Sequence, residues 1–275
     1  MDGKPLDVID IKKPTDIDYA KHLAKVVSKL SPLLGNMIEF EVVNELNTVD
    51  WDRKGIWVRQ DPGFPDAFFV GEITPAPGIE IKTWFPLATE ITARFKESID
   101  HFSEDQTDIA IIAWVPEYII YGKPKVIGCW MDSAKSFALA RDKHYHNPPD
   151  YLVFEPEDTS TRTSNLQQRN TNGYKFQGTP LQMEAAKKFI KKWGKDGGTY
   201  HSTKEYQELL KTLLAKFPYR LDTNFAKIDR IQHAGLEEFK SHVLGLKILN
   251  HTVAEWSQLI REDEDKVRYL IEDLI

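Results

Sequence analysis

An α/β fold, with a mixed central sheet flanked by helices and a helical C-terminal portion, is what this 275-residue sequence predicts. Three observations carry that expectation. Helical periodicity opens the chain, a run of short β-rich segments fills its middle, and helical periodicity returns after residue 183. The segment Ile109–Val115, IAIIAWV, is apolar at every position, as a strand buried on both faces must be. Just before it, Ile91, Phe95, Ile99 and Phe102 fall at helical spacing, as in a crossover between parallel strands.

The elements follow in order. Over Asp16–Asn47, Ala20, Leu23, Val26, Val27 and Leu30, then Met37, Ile38, Val42, Val43 and Leu46, recur at three- and four-residue steps. Pro32 and Gly35 punctuate the run, so two consecutive helices are expected. Strands are expected over Gly55–Arg59, Ala67–Val70, Ile79–Thr83, Asp108–Val115, Lys125–Met131 and Asp150–Phe154, each bounded by Gly, Pro or Asp. Thr89–Phe102 is the expected crossover helix. Met183–Trp193, Thr203–Lys216, Leu236–Leu249 and Val253 onward read as helices. An α/β core over residues 1–180 and a helical subdomain over 181–275 follow, with a polar loop near 159–178.

Composition narrows the function. The formal charge of -6 argues against a protein that coats nucleic acid with its whole surface, though not against one basic face. Part of the acidic excess is local: Glu255–Ile275 holds seven acidic residues against three basic ones. The single cysteine, Cys129, excludes an intrachain disulfide and a multi-cysteine zinc site. The N-terminus has no apolar leader core, and the most apolar stretch, Ile109–Tyr121, is too short to span a bilayer. A cytoplasmic protein without membrane contact is expected.

The chemistry concentrates in GFPDAFFVGEITPAPGIEIKTW, residues 63–84. Asp66 opens an apolar strand. Glu80 and Lys82 differ by two, so both leave the same face of the next strand. A hairpin through the Glu72–Gly78 link brings Asp66 beside Glu80. Two carboxylates and an ammonium then converge, a group that suits a hard, oxygen-seeking cation. Mg²⁺ held by Asp66 and Glu80 keeps positions open for phosphate oxygens, and Lys82 is placed to orient or help deprotonate an attacking water. The competing reading is a solvated strand edge, because alternation alone produces acidic–apolar–basic triplets.

Pro65-Asp66 followed by Glu80-Ile81-Lys82 resembles the motif of the PD-(D/E)xK nucleases, and the surrounding strand–hairpin–helix–strand order is similar to their core. GIEIKTW looks like the corresponding region of type II restriction endonucleases and of the MutH-like branch. The resemblance covers residues 20–155 and implies a restriction-endonuclease-like sheet. It also implies Mg²⁺-dependent hydrolysis of double-stranded DNA to 5′-phosphate and 3′-hydroxyl ends, and a homodimer. In this family a glutamate of the preceding helix often joins the site. Glu39, four residues after Gly35, matches that spacing, with Glu41 and Glu45 as competitors. The alternatives are a nicking or repair endonuclease of the same fold and a non-catalytic DNA-binding module.

DNA contacts are expected in two places. Arg94 and Lys96 follow the catalytic strand. Thr159–Lys195 carries eight cationic side chains against one acidic residue, Glu184, which is the local patch that phosphate attraction requires. Within it Arg162, Asn165, Gln167, Gln168, Arg169, Asn170, Asn172 and Lys175 combine amide and cationic groups suited to base edges. The lysines of 187–195 suit phosphates. A flexible polar linker is the alternative for the amide-rich part. His144-Tyr145-His146 reads as a surface turn before Pro148 rather than a metal site.

Overall fold

The computed structural model describes the chain except for residues 1–2, 53–54, 61–62, 89, 103, 145–147, 156–171, 263–271 and 273–275. Two compact units emerge, and each is discontinuous in sequence. One comprises Met1–Ala93, Gln106–Ser133 and Ala234–Ile275; the other comprises Arg94–Asp105 and Ala134–His233.

The first unit is mixed α/β, as expected. Helix α1, Ile17–Val26, starts where the Asp16 carboxylate accepts the Tyr19 N–H at 2.8 Å. After the 3₁₀ turn Val27–Leu30, helix α2 spans Ser31–Leu46. The break therefore precedes Pro32, which sits in the first turn of α2, where a missing N–H costs nothing. Gly35 does not interrupt the helix. A Cβ there would lie 3.0 Å from Thr83 Oγ1, so glycine lets α2 press against the sheet.

Five strands, β1 (Gly55–Arg59), β2 (Ala67–Gly71), β3 (Gly78–Trp84), β4 (Thr107–Pro116) and β5 (Pro124–Ser133), lie in that order across one sheet. β1, β2 and β3 run antiparallel, β3 and β4 parallel, and β4 and β5 antiparallel. Every residue of Ile109–Val115 is buried, which is why that segment of β4 carries no alternation.

The parallel β3–β4 pair needs a long crossover, and residues 85–106 supply it. The helix expected over Thr89–Phe102 does not form. Among the described residues of that range the only helical turn is the 3₁₀ piece Ile99–His101. The backbone bonds elsewhere instead: Phe95 N–H to Ala226 O at 2.9 Å, and Ile99 N–H to the Asp142 carboxylate at 2.9 Å. Ile91, Phe95 and Phe102 are buried all the same, so the apolar spacing reported burial and not helix.

Two further helices complete this unit. In α6 (Ala234–Gly245) Phe239 packs edge-on against Trp84, with ring centroids 6.0 Å apart. In α7 (Val253–Glu262) Ser257 donates to Leu87 O at 3.2 Å. A short hairpin, β9 (Lys247–Ile248) with β10 (His251–Thr252), joins them and ends the expected Leu236–Leu249 helix early. Leu249 and Asn250, at positive φ, make its turn.

The second unit contains α3 (Ala134–His144), a helix that the sequence reading does not anticipate. Strands β6 (Tyr151–Phe154), β7 (Asn172–Phe176) and β8 (Tyr219–Asp222) form an antiparallel sheet in that order. Helices α4 (Pro180–Ile190) and α5 (Lys204–Lys216) cover it through Leu152, Phe176, Ile190, Leu210 and Leu213. Among the described residues no helix is long and apolar enough to cross a membrane.

Candidate active site

The motif residues are assembled where β2 and β3 part. β2 pairs with β3 at only two positions, Ala67 with Ile79 and Phe68 with Gly78. Pro65 seats on the start of β3 because Gly78 has no side chain; a Cβ there would lie 2.5 Å from Pro65 Cγ. That packing fixes the residue that follows. Beyond the last pair, Asp66 Oδ2 accepts the Ile81 N–H at 2.7 Å, so a carboxylate takes the place of a neighbouring strand.

Glu80 and Lys82 leave the same face of β3 as alternation requires. Lys82 Nζ lies 2.5 Å from Glu80 Oε1 and 3.1 Å from Asp66 Oδ2, and donates to Ile81 O at 3.2 Å. Its three donors thus have three acceptors. The side chains of Asp66, Glu80 and Lys82 are 20%, 11% and 17% exposed, so the group is packed on one side and open to solvent on the other. Burial pulls the Lys82 pKa down, but Glu80 and Asp66 more than offset it, and the net shift is upward. The ammonium is therefore charged at neutral pH.

The opposite face of the strand is apolar and turned to α2. Ile79 and Ile81 are buried, and Thr83, next in that row, meets Gly35. Trp84, in the Glu80–Lys82 row, meets Phe239 of α6. Two helices on two faces thus hold β3 so that the charged row emerges at one fixed place.

Glu39 is placed differently from the three. Its Oε2 lies 3.9 Å from Arg59 Nη2. Arg59 pairs across the ladder with Ala67, which pairs with Ile79, so Arg59 shares the α2-facing side of the sheet. The competitors lie further along α2: Glu45 binds Lys4 at 2.6 Å and Glu41 accepts from Asn44 at 3.5 Å. Sequence reasoning does not single out Arg59, because its relation to Glu39 depends on hairpin register. Glu72 is exposed in the β2–β3 connection.

The expected DNA-contacting residues divide into three sets. Arg94 and Lys96 belong to the second unit and do not stand on a helix; Arg94 is exposed and bridges Lys227. Arg162, Asn165, Gln167, Gln168, Arg169 and Asn170 lie outside the described residues, as does His146. Asn172 and Lys175 lie on β7, so they are strand residues and not part of a loop.

Among the described residues no three or more His, Cys, Asp or Glu side chains gather as a cation site. The Asp66–Glu80 pair nevertheless fits Mg²⁺ by its chemistry. Both donors are carboxylates, and Mg²⁺ takes one or two of these while water and substrate oxygens complete its octahedron. Comparison with family models, with curated proteins and with solved structures gives no match for this chain.

Proposed function

We propose that this chain is a Mg²⁺-dependent endonuclease of the type II restriction class, cutting double-stranded DNA to 5′-phosphate and 3′-hydroxyl ends. The observation that carries the reading is Lys82 Nζ held between Glu80 of β3 and Asp66, the residue just before β2. The sheet order supports a restriction-endonuclease-like core, with the motif on an antiparallel hairpin followed by a parallel strand. Two copies, each cutting one strand, suit a symmetric duplex site.

The chain's own groups divide the work. Asp66 and Glu80 would hold the cation, which supplies Lewis-acid stabilisation of charge on the phosphoryl oxygens. Asp66 is pinned by the Ile81 amide, so its free lone pairs point in a set direction. Lys82, kept protonated by its neighbours, would place positive charge beside the reacting phosphate. A packed wall of β-sheet and α6 behind the row limits its motion, which is what positioning catalysis requires.

Incubation of supercoiled plasmid with the full chain and Mg²⁺, with an EDTA control, tests the proposal. Discrete linear products in the presence of Mg²⁺ only, absent from Asp66→Ala, are expected. An open circle as the final product points to the nicking alternative. Intact plasmid with a mobility shift points to a binding module and refutes catalysis.

A further inference from the structure

The β6–β7–β8 sheet of the second unit has one face on α4 and α5, through Leu152 and Phe176. Alternation turns the other row outward. On that row Tyr151 stands opposite Lys175, and Lys175 stands opposite Arg220. Two residues along, Val153, Gly173 and Asp222 form the next rank. There the face is roofed: a Cβ on Gly173 would lie 2.3 Å from Phe225 Cγ. The Asp222 carboxylate is engaged, accepting from Tyr151 Oη at 3.3 Å and lying 3.7 Å from Arg230 Nη1.

At the unroofed end two cations remain, side by side on adjacent strands and both exposed. Neither forms an ion pair with a described residue. Like charges directly opposite in a β-ladder are destabilising, so this rank works against the fold that carries it. An anion placed over both would remove that cost. The surface is an open sheet face, and small anions are usually taken in concave sites lined by convergent polar groups. A flat cationic rank suits the backbone of a polymer.

We infer that Lys175 and Arg220 form a phosphate-binding site for the backbone of double-stranded DNA. The identity of the polymer rests on the nuclease reading above. Arg220 is the member that no sequence motif marks. Its planar guanidinium offers two parallel N–H groups to one phosphate, while Lys175 adds a mobile point charge. Helices α4 and α5 separate the two residues in the chain, and only strand pairing makes them neighbours.

The competing role for Arg220 is to guard the exposed edge of β8, since charged side chains commonly protect sheet edges. Fluorescence anisotropy of a labelled duplex, titrated with the full chain in EDTA over a salt series, separates the two. Arg220→Ala and Lys175→Ala should each weaken binding several-fold at fixed salt. Each should lower the slope of log K against log salt by about 1. Arg220→Lys keeps the charge and should recover the slope, so a folding defect in the alanine variant cannot imitate the result.

Wild-type affinity and slope in both alanine variants would overturn the site, as would a wild type that does not bind duplex. Equal loss of binding to polyglutamate would make the rank a dock for acidic protein and also overturn it. Weakened duplex binding by the variants, with no Mg²⁺-dependent cleavage by the wild type, would keep this site and refute the nuclease. Cleavage with unchanged slopes would do the reverse.

Discussion

The carboxylate of Asp66 accepts the backbone N–H of Ile81 at 2.7 Å, occupying a ladder position that β2 no longer supplies. One oxygen of a candidate cation ligand is thereby tied to the backbone between the other two site residues, Glu80 and Lys82. The tie makes the geometry of the three a property of β3 itself rather than of flexible side chains.

Asp66→Asn separates charge from position. The amide oxygen can still accept from Ile81, so the fold should be retained, with a thermal midpoint close to wild type. Loss of the negative charge should reduce Mg²⁺-dependent plasmid cleavage by at least about 100-fold, the scale on which a charge-stabilising group is felt. Glu80→Gln should behave alike. Cleavage within a factor of two of wild type by either variant would remove that carboxylate from the site.

Asn47 closes the open edge of β1. Its side-chain amide donates to Trp57 O at 2.9 Å and accepts from Trp57 N–H at 2.8 Å, as a neighbouring strand would. Asn47→Ala removes both bonds and should cost about 2 kcal/mol in denaturant unfolding. It also exposes an unpaired edge beside Ile56 and Val70, which are 59% and 47% exposed. Sedimentation should show concentration-dependent association of the variant beyond that of wild type.

Glu155 and Asp142 flank the fully buried guanidinium of Arg141. Arg141 Nη2 donates to Glu155 Oε1 at 2.8 Å, Tyr200 Oη donates to the same oxygen at 2.8 Å, and Gln207 accepts the Glu155 N–H at 2.9 Å. Glu155→Ala leaves Arg141 with the Asp142 carboxylate, 3.0 Å from Nη1, as its remaining partner and should destabilise the chain by about 3 kcal/mol. Arg141→Met together with Glu155→Leu should cost less than the sum of the two single variants, with Asp142 left to the Ile99 N–H it already accepts. Additive losses in the double variant would show that the two side chains are not energetically coupled and would overturn this reading.

Alkali should unfold the second unit through its tyrosines. Burial, then the nearby Glu155, raises the Tyr200 pKa; burial raises Tyr206; burial, then Asp150, raises Tyr219. Below the ordinary value of 10.0 both folded and unfolded chains hold these protons, and stability is unaffected. Above it the unfolded chain releases protons that the folded chain keeps, so stability falls as pH rises. Tyrosinate absorbance from these three should therefore appear together with loss of near-ultraviolet circular dichroism. A full phenol titration near pH 10 in a chain that remains folded would contradict the burial argument.

Much of the fold was legible because its signals are local. The six expected strands occur, since alternation and turn residues act over a few positions. The convergence of Asp66, Glu80 and Lys82 was legible for the same reason: a two-residue step fixes a face, and a short link fixes a hairpin. Helix α3 leaves no clear mark in the sequence because its apolar residues do not form a stripe; Phe137 and Ala138 are buried, but so is Arg141. The Thr89–Phe102 segment reads as helix because burial of Ile91, Phe95 and Phe102 imitates helical periodicity, while its backbone partners lie far along the chain.

By itself, then, the sequence determined the mixed α/β class, the fully buried β4 and the charged row on β3, each through side-chain pattern over short distances. Tertiary structure alone decided that Gly35 is a packing contact with Thr83, that Glu39 binds Arg59, and that Lys175 faces Arg220. Those relations join residues on separate elements, and register across a sheet or the approach of a helix is a property of the packed chain, which no local pattern encodes.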